Sequence, residues 1–333
     1  MTPAVGPQSK VNFFSSQEYL SCVAEAYYPG RAYELADYSV AGSTYRLLRV
    51  QPRGLSREKI ITWVPFLDLL EPIDTVGKAG PTYLPLVSHG RVTVAEWKAR
   101  TDQGSFQVSP LIDYTLFPTW EDCVAHGRSL GVAAFRTKRV KQLKKLDADH
   151  GLTMSWNDEQ PDALAEIMRW KSQQYREAGF VDGFESRSLV RLFELLRERK
   201  SLTVSTMRLG GKLVAGHAGV ELDGRLYYWL PAYDAEWGKQ SVGMLLSEWI
   251  MEEAYRRGAR EFDFLLGNEA YKWNYATHTR LVGPAGRLPL SARAWAPVRA
   301  RLIAEARKHE GVYRRLQELK RRAVSLRQRL SGK

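Results

Sequence analysis

The chain is poor in cysteine and has no long apolar run. Only Cys22 and Cys123 occur in 333 residues, and no metal-binding spacing surrounds them. A disulfide framework or thiolate metal centre is therefore not expected, and no metal is assigned. Both cysteines suit a reducing cytoplasm, as packing residues. No stretch reaches the roughly 18 apolar residues that a membrane-spanning helix needs. The opening MTPAVGPQSK lacks the apolar core of a secretory signal, so a cytoplasmic protein is expected.

What is present points to a globular chain. It is 44% hydrophobic and 26% charged, and its length suits two domains. The net charge of +12 is unevenly placed. Residues 299–333 hold twelve Lys/Arg against three Glu, so this tail carries +9 and the body before it only +3. Within the tail, Leu302, Ile303, Ala306, Val312, Leu316, Leu319, Ala323, Leu326 and Leu330 recur every three to four residues. A basic amphipathic helix over 295–330 is expected, lying on an anionic membrane surface or packed on protein.

Along the chain, residues 1–12 read as a disordered lead. Ser15 or Ser16 caps a helix over Gln17–Tyr27. Strands follow at Tyr33–Val40, Thr44–Gln51 and Lys59–Leu67, the first two joined through Ala41-Gly42-Ser43. Glu71–Ser88 reads as a loop beside a cleft, Arg91–Arg100 as a short helix and Ser109–Phe117 as a strand. Thr119 and Asp122 form a capping-box pattern before a helix from Trp120. The basic run Arg136–Lys145 reads as a helix, with a solvated face, an acidic ligand or nucleic-acid phosphates as its partner. No aromatics interleave with it, which disfavours nucleic acid. Helices over Pro161–Glu177 and Ser186–Arg199 follow from apolar spacing. Strands at Leu202–Leu209, Lys212–Leu222 and Arg225–Ala232 are separated by Gly210-Gly211 and Asp223-Gly224. A helix over Gln240–Arg257 and a strand over Glu261–Leu266 come next, then a Gly/Pro-rich Leu281–Leu290. The order is that of an α+β domain with a mostly antiparallel sheet.

Two stretches carry chemistry. Trp237-Gly238-Lys239-Gln240-Ser241-Val242-Gly243 opens a helix, whose free N–H groups and partial positive charge suit a pyrophosphate; an ordinary capped turn reads equally from the spacing. Arg260–Thr279 sets Asp263, Glu269, Tyr271, Lys272 and His278 around a break at Gly267. His217 is the best base by intrinsic pKa, although a lone strand histidine is more often structural. Asp263 reads as a base, as the orienter of one, or as a buried hydrogen-bond acceptor. Lys272 and Tyr271 read as oxyanion stabilisers or as groups that pin the loop.

The series Arg225–Ala232, Gly238–Gly243, a helix, then D-F-x-x-G-x-x-x-Y-K over Asp263–Lys272 resembles the GNAT superfamily. It is most similar to the FemAB-like branch that includes the CelD/BcsL acyltransferases. The strand at Tyr114–Phe117, the helix from Trp120 and the basic Arg136–Lys145 resemble the same branch, so the match spans about residues 110–280. The resemblance implies tandem GNAT-like lobes at 13–135 and 136–290, with mixed, mostly antiparallel sheets, followed by the basic tail at 291–333. It implies acyl transfer from acyl-CoA, the cosubstrate, to an amine or hydroxyl of an envelope, lipid or polysaccharide precursor. A sphingoid-type amine is one such acceptor. The catalytic residues it implies are His217, Asp263, Lys272 and Tyr271. Lys239, Gln240, Ser241, Val242, Gly243 and Trp229 would hold acyl-CoA, and Tyr228, Tyr233 and Glu269 the acceptor. Position 245 is Leu where the family's phosphate loop closes on a small residue. Alternatives are an aminoacyl-tRNA-dependent Fem-type transferase and a silent scaffold. The expected location is cytoplasmic, with peripheral contact at the inner membrane.

Overall fold

The computed structural model describes residues 12–52, 58–127 and 133–287. The basic tail and residues 1–11 of the expected disordered lead lie outside the described residues. Asn12, the last residue of that lead, is buried and donates to the Leu69 carbonyl at 3.1 Å.

The chain opens with helix α1 (Gln17–Tyr27), whose N-terminal amides are capped by Ser16. Strands β1 (Tyr33–Val40) and β2 (Ser43–Val50) form a hairpin. Ala41 and Gly42 both adopt positive φ there (52° and 86°), the backbone that a tight two-residue hairpin turn requires. Strands β3 (Lys59–Ile61), β4 (Lys78–Ala79) and β5 (Tyr83–Thr93) follow. Helix α2 (Val94–Ala99), started by a Thr93/Glu96 capping box, precedes β6 (Gln107–Asp113) and helix α3 (Trp120–Gly127). Helix α4 (Ala133–His150) leads into β7 (Leu152–Ser155), α5 (Pro161–Glu177) and α6 (Arg187–Glu198). The meander β8 (Thr203–Leu209), β9 (Lys212–Leu222) and β10 (Arg225–Tyr233) comes next. Helix α7 (Val242–Arg256), β11 (Glu261–Asp263) and β12 (His278–Gly286) close the described chain.

Two sheets result. The small one runs β3-β2-β1-β4 and the large one β5-β12-β6-β11-β10-β9-β8-β7. Within the large sheet only β10 and β11 run parallel, joined across α7; its other pairs are antiparallel. One face of this sheet packs α1, α5, α6 and the small sheet, through Tyr19, Leu164, Phe193 and Trp229. The other packs α3 and α7, through Val124, Leu246, Ile250 and Phe262. Both cysteines are buried. Among the described residues no helix is long and apolar enough to cross a membrane.

Several expectations are corrected. The strand over Lys59–Leu67 stops at Ile61, because Pro65 offers no N–H and Phe66 turns left-handed (φ 64°). The loop expected over Glu71–Ser88 contains β4 and most of the long strand β5. The Gly/Pro-rich Leu281–Leu290 contributes to β12, which pairs with β5 and β6. The strand over Ser109–Phe117 ends at Asp113, whose side chain accepts from Thr115 N–H and starts a single 3-10 turn. Helix α7 begins at Val242 rather than Gln240, because Ala235–Gln240 winds as a 3-10 turn. The two halves of the chain interlock: β5 and β6, from the first half, take places beside β12 and β11.

A buried charge network ties these halves. Arg280 is 4% exposed and bonds Asp263 at 2.7 Å, Glu261 at 2.5 Å and Glu71 at 2.7 Å. Arg225 joins Glu71 at 2.9 Å and Glu261 at 2.7 Å, and Arg91 binds Asp113. Burial alone would raise the Glu71 carboxyl; Arg280 and Arg225 outweigh it and hold it below the ordinary range. Asp113 is likewise held low, against burial, by Thr115 and Arg91. Depressed folded-state pKa values add stability at neutral pH, which is lost as pH falls through them, below about 4. Arg280→Met leaves three carboxylates short of a partner, so urea unfolding at pH 7 is expected to show a loss of about 3–5 kcal/mol. The deficit should shrink at pH 4, and a loss that is the same at both values would contradict the assignment.

Candidate active site

The parallel pair is short. Arg225, Leu226 and Tyr227 face Glu261, Phe262 and Asp263, and then the strands part. On its other edge β10 shifts register against β9 between Tyr227 and Leu230. Its partner β11 stops because the Asp263 side chain bonds its own chain ahead, accepting from Leu265 N–H at 2.9 Å. Leu265 is left-handed (φ 57°), a costly backbone for a bulky L residue that persists only where its surroundings enforce it. Those surroundings are visible. Ser109 Oγ donates to Asp263 at 2.9 Å. Lys272 Nζ donates to the Leu265 and Leu266 carbonyls at 3.1 and 2.8 Å, and pairs with Glu269 at 3.0 Å. Gly267 follows with φ 133°, and a Cβ there would strike the Glu269 carboxylate.

The parting of β10 and β11 opens a cavity of ≈ 260 Å³. Tyr228, Trp229 and Pro231 form one wall and Phe264–Leu266 the other, with Glu269, Tyr271 and Lys272 on the turn. Phe66 and Asp68, from the segment after β3, and Lys171 and Tyr175, from α5, complete it. Asp68 sits between Leu67, Leu69 and Leu70, all nearly inaccessible. This segment is pinned at both ends of Leu70, whose N–H donates to Leu86 and whose carbonyl accepts from Ser88. Burial pushes the Asp68 carboxyl up to about 7; Lys272 opposes this and Asp263 and Glu269 add to it. Burial lowers the Lys171 ammonium below the ordinary range, with Glu269 opposing and Lys272 adding. Lys171 Nζ donates to the Pro231 carbonyl at 3.2 Å.

Of the residues singled out in the sequence, Tyr228, Trp229, Glu269, Tyr271 and Lys272 meet in this cavity. Burial raises the Tyr271 hydroxyl and holds Tyr228 at about 12, so both remain protonated at neutral pH. His217 does not line it. The ring is 1% exposed and stacked flat on Tyr228 at 4.3 Å, with no hydrogen-bond partner for either nitrogen. Burial pushes its pKa down to about 3, which makes it a weak proton acceptor. Asp263 lies behind the cavity, fully inaccessible, with both oxygens engaged. His278 is on β12, against Thr277 Oγ1 at 3.0 Å. Asp68, Lys171, Tyr175 and Phe66 were not read from the sequence. The available signal for Asp68 was one carboxylate inside the apolar run Val64–Leu70.

The expected phosphate loop follows β10 and leads into α7. Ser241 is left-handed (φ 55°), and no side chain caps α7, so the first N–H groups of this fifteen-residue helix have no side-chain acceptor. Lys239 is exposed beside it, Gln240 is half-buried and Val242 is buried. Tyr233, 40% exposed, lies over Gly243, where a Cβ would stand 2.8 Å from its ring.

Residues 133–273 match the family described as acetyltransferase (GNAT) domain. No curated protein matches the chain. Among solved structures, FemX aligns at TM-score 0.51 and 9% identity, over 85% of this chain and 94% of FemX. L-PGS from Bacillus licheniformis aligns at 0.44 and 12%, over 87% and 97%. A tandem GNAT protein from the clavulanic acid biosynthesis pathway aligns at 0.38 and 11%, over 81% and 88%.

Removing the Lys272 ammonium frees the two carbonyls that it clamps. Lys272→Met is expected to speed amide exchange at Leu265–Gly267 by about tenfold or more, while β8 and β9 keep their protection. Unchanged exchange at the turn would contradict a clamping role. Residues 133–273 thus match a GNAT acetyltransferase domain, in a chain that shares its overall fold with FemX.

Proposed function

We propose that the cavity transfers an acyl group from acyl-CoA to an amine or hydroxyl, with Asp68 as the general base. The observation that carries this reading is the half-buried Asp68 carboxyl at the parting of β10 and β11, which burial raises to about 7. General bases work best with a pKa near the operating pH. Asp68 would take the proton as the acceptor attacks the thioester carbonyl; the carbon–sulfur bond then breaks and CoA leaves as its thiolate. The backbone of Tyr228–Leu230 has no strand partner on its β11 side and offers the place for a donor to the developing oxyanion. Lys171 adds a nearby cation. Lys272 and Asp263 act as positioning residues through the Leu265 turn. Acyl-CoA, when bound, supplies an activated thioester; the uncapped α7 terminus with Lys239, Gln240, Ser241, Val242 and Gly243 would receive its phosphates.

The acceptor reading is an envelope or lipid precursor, met at the inner face of an anionic membrane. The basic, leucine-periodic sequence at 295–330 supports it. Vesicle flotation of the full chain against a chain ending at Ser291 checks that part, and equal flotation would count against it.

One observation favours a second reading, an aminoacyl-tRNA donor: Tyr233 covers Gly243, and Leu245 stands where a small residue would help the phosphates approach. A thermal-shift and mass-spectrometry panel from acetyl- to palmitoyl-CoA separates the two. Stabilisation by at least one acyl-CoA is expected. Asp68→Asn should then lower kcat/KM by about 10²–10⁴ with acyl-CoA binding intact, and the wild-type rate should rise with pH through about 7. No stabilisation by any acyl-CoA, together with copurifying tRNA, would select the second reading.

A further inference from the structure

The segment that carries Asp68 is held by a closed ring of hydrogen bonds that reaches it from Asn12 and Phe13. Asn12, 2% exposed, donates through Nδ2 to the carbonyl of Leu69, the residue after Asp68, at 3.1 Å. Its Oδ1 accepts from Ser15 N–H at 3.1 Å and starts the 3-10 turn Phe13–Ser15, so the side chain is engaged at both ends. The next N–H, that of Phe13, donates to the Tyr227 hydroxyl at 3.1 Å. That hydroxyl also accepts from Arg225 Nη1 at 3.2 Å, and the same Nη1 donates to Glu71 at 2.9 Å. Glu71 lies two residues beyond Leu69 on the Asp68 segment, which closes the ring.

The ring abuts the cavity. Tyr227 is the last residue of β10 to pair with β11, opposite Asp263, and the next two residues, Tyr228 and Trp229, form the wall. Phe13 and Phe14, both buried, pack their rings against Trp229, each at 5.6 Å. One short stretch therefore touches the Asp68 segment on one side and the β10 wall on the other. Among the described residues, no other side chain bonds the backbone of Leu67, Asp68 or Leu69. Asn12 itself lines no part of this cavity, so it has no contact with substrate there.

We propose that Asn12 is a positioning residue for Asp68: its bond to Leu69 sets the distance between the carboxyl and the parted strands. The proposal rests on Asp68 as the base and adds the residue that aims it. Aim matters, because moving a catalytic group by about 1 Å can cost on the order of 100-fold in rate.

The test uses the full-length protein and two substitutions. In Asn12→Ser the hydroxyl still caps the Phe13–Ser15 turn but is too short to reach the Leu69 carbonyl. Tyr227→Phe keeps the ring and removes the oxygen that joins Phe13 to Arg225. Thiol release from acetyl-CoA, with butylamine as acceptor, gives kcat and KM; carbon-13 NMR of carboxyl-labelled aspartate gives the Asp68 midpoint without substrate. Asn12→Ser is expected to lower kcat by about 10–100-fold, with KM for acetyl-CoA within about twofold. The Asp68 midpoint should fall from about 7 toward the ordinary aspartate value of about 4, because a loosened segment admits water and burial is what raises it. Tyr227→Phe should move both readouts the same way by less. Lys171 and Tyr175 from α5, Glu269 and Lys272 from the turn, Asp263 from β11 and Tyr19 from α1 surround Asp68 and are unchanged in both variants. A moved midpoint therefore reports the position of Asp68 itself. Wild-type kcat and midpoint in Asn12→Ser, or a kcat loss with an unmoved midpoint, would overturn the proposal; if Asn12→Ser does not fold, Tyr227→Phe decides by the same outcomes. Asp68→Asn is assayed alongside. Full activity there removes the base and this proposal with it, whereas an inactive Asp68→Asn beside an unaffected Asn12→Ser removes the positioning role alone.

Discussion

The structure depends on what the Asp263 carboxylate does at the end of β11. One oxygen accepts from Ser109 and from the N–H of Leu265, two residues ahead; the other meets Arg280. Bonding its own chain ahead ends the strand and turns Leu265 left-handed, while Arg280 supplies the opposite charge that a buried carboxylate needs as a partner. If β11 ran on beside β10 in the register of its first three pairs, Phe264–Leu266 would close against Tyr228–Leu230 and the cavity would be gone. The opening is therefore maintained by a polar device, in a place where apolar strands would otherwise zip together.

This arrangement divides the charged groups by task. Asp263, Glu261, Glu71, Arg225 and Arg280 satisfy one another and hold backbone in place. Lys272 spends its donors on two carbonyls and Glu269. Asp68 and Lys171, which also line the cavity, differ because burial shifts each toward its neutral form. Acid–base work needs groups whose proton affinity lies near the working pH, and the fully paired groups are unsuited to it. The element that carries Asp68 comes from the first half of the chain and the strands it faces from the second, so neither half holds the site alone.

Much of the fold was legible in the sequence, for local reasons. Helices α1 and α5 and strand β9 occupy the residues that periodicity and caps indicate, and the Asp223-Gly224 hairpin forms where its turn residues stand. Failures cluster where long-range pairing overrides local pattern. Strand β12 looks like a Gly/Pro-rich connector, yet it gains partners on both sides from β5 and β6, more than 160 residues away. At the site, the D-F-x-x-G-x-x-x-Y-K string located the turn but left open what its members do. His217 stood out by its intrinsic pKa, and only packing against Tyr228 shows that burial removes that advantage. Asp68 was illegible for the converse reason: an ordinary carboxylate in sequence, it acquires its proton affinity from burial against α5 and the parted strands, which meet it only in the folded chain.

The central claim is that one carboxyl in the parted-strand cavity titrates near neutrality. Its most direct measurement is carbon-13 NMR of carboxyl-labelled aspartate in the full chain, with the Asp68 resonance assigned by Asp68→Asn, followed from pH 4 to 9. A midpoint close to 7 is the result expected here. A midpoint in the ordinary aspartate range, around 4, would contradict the account and leave the cavity without its base.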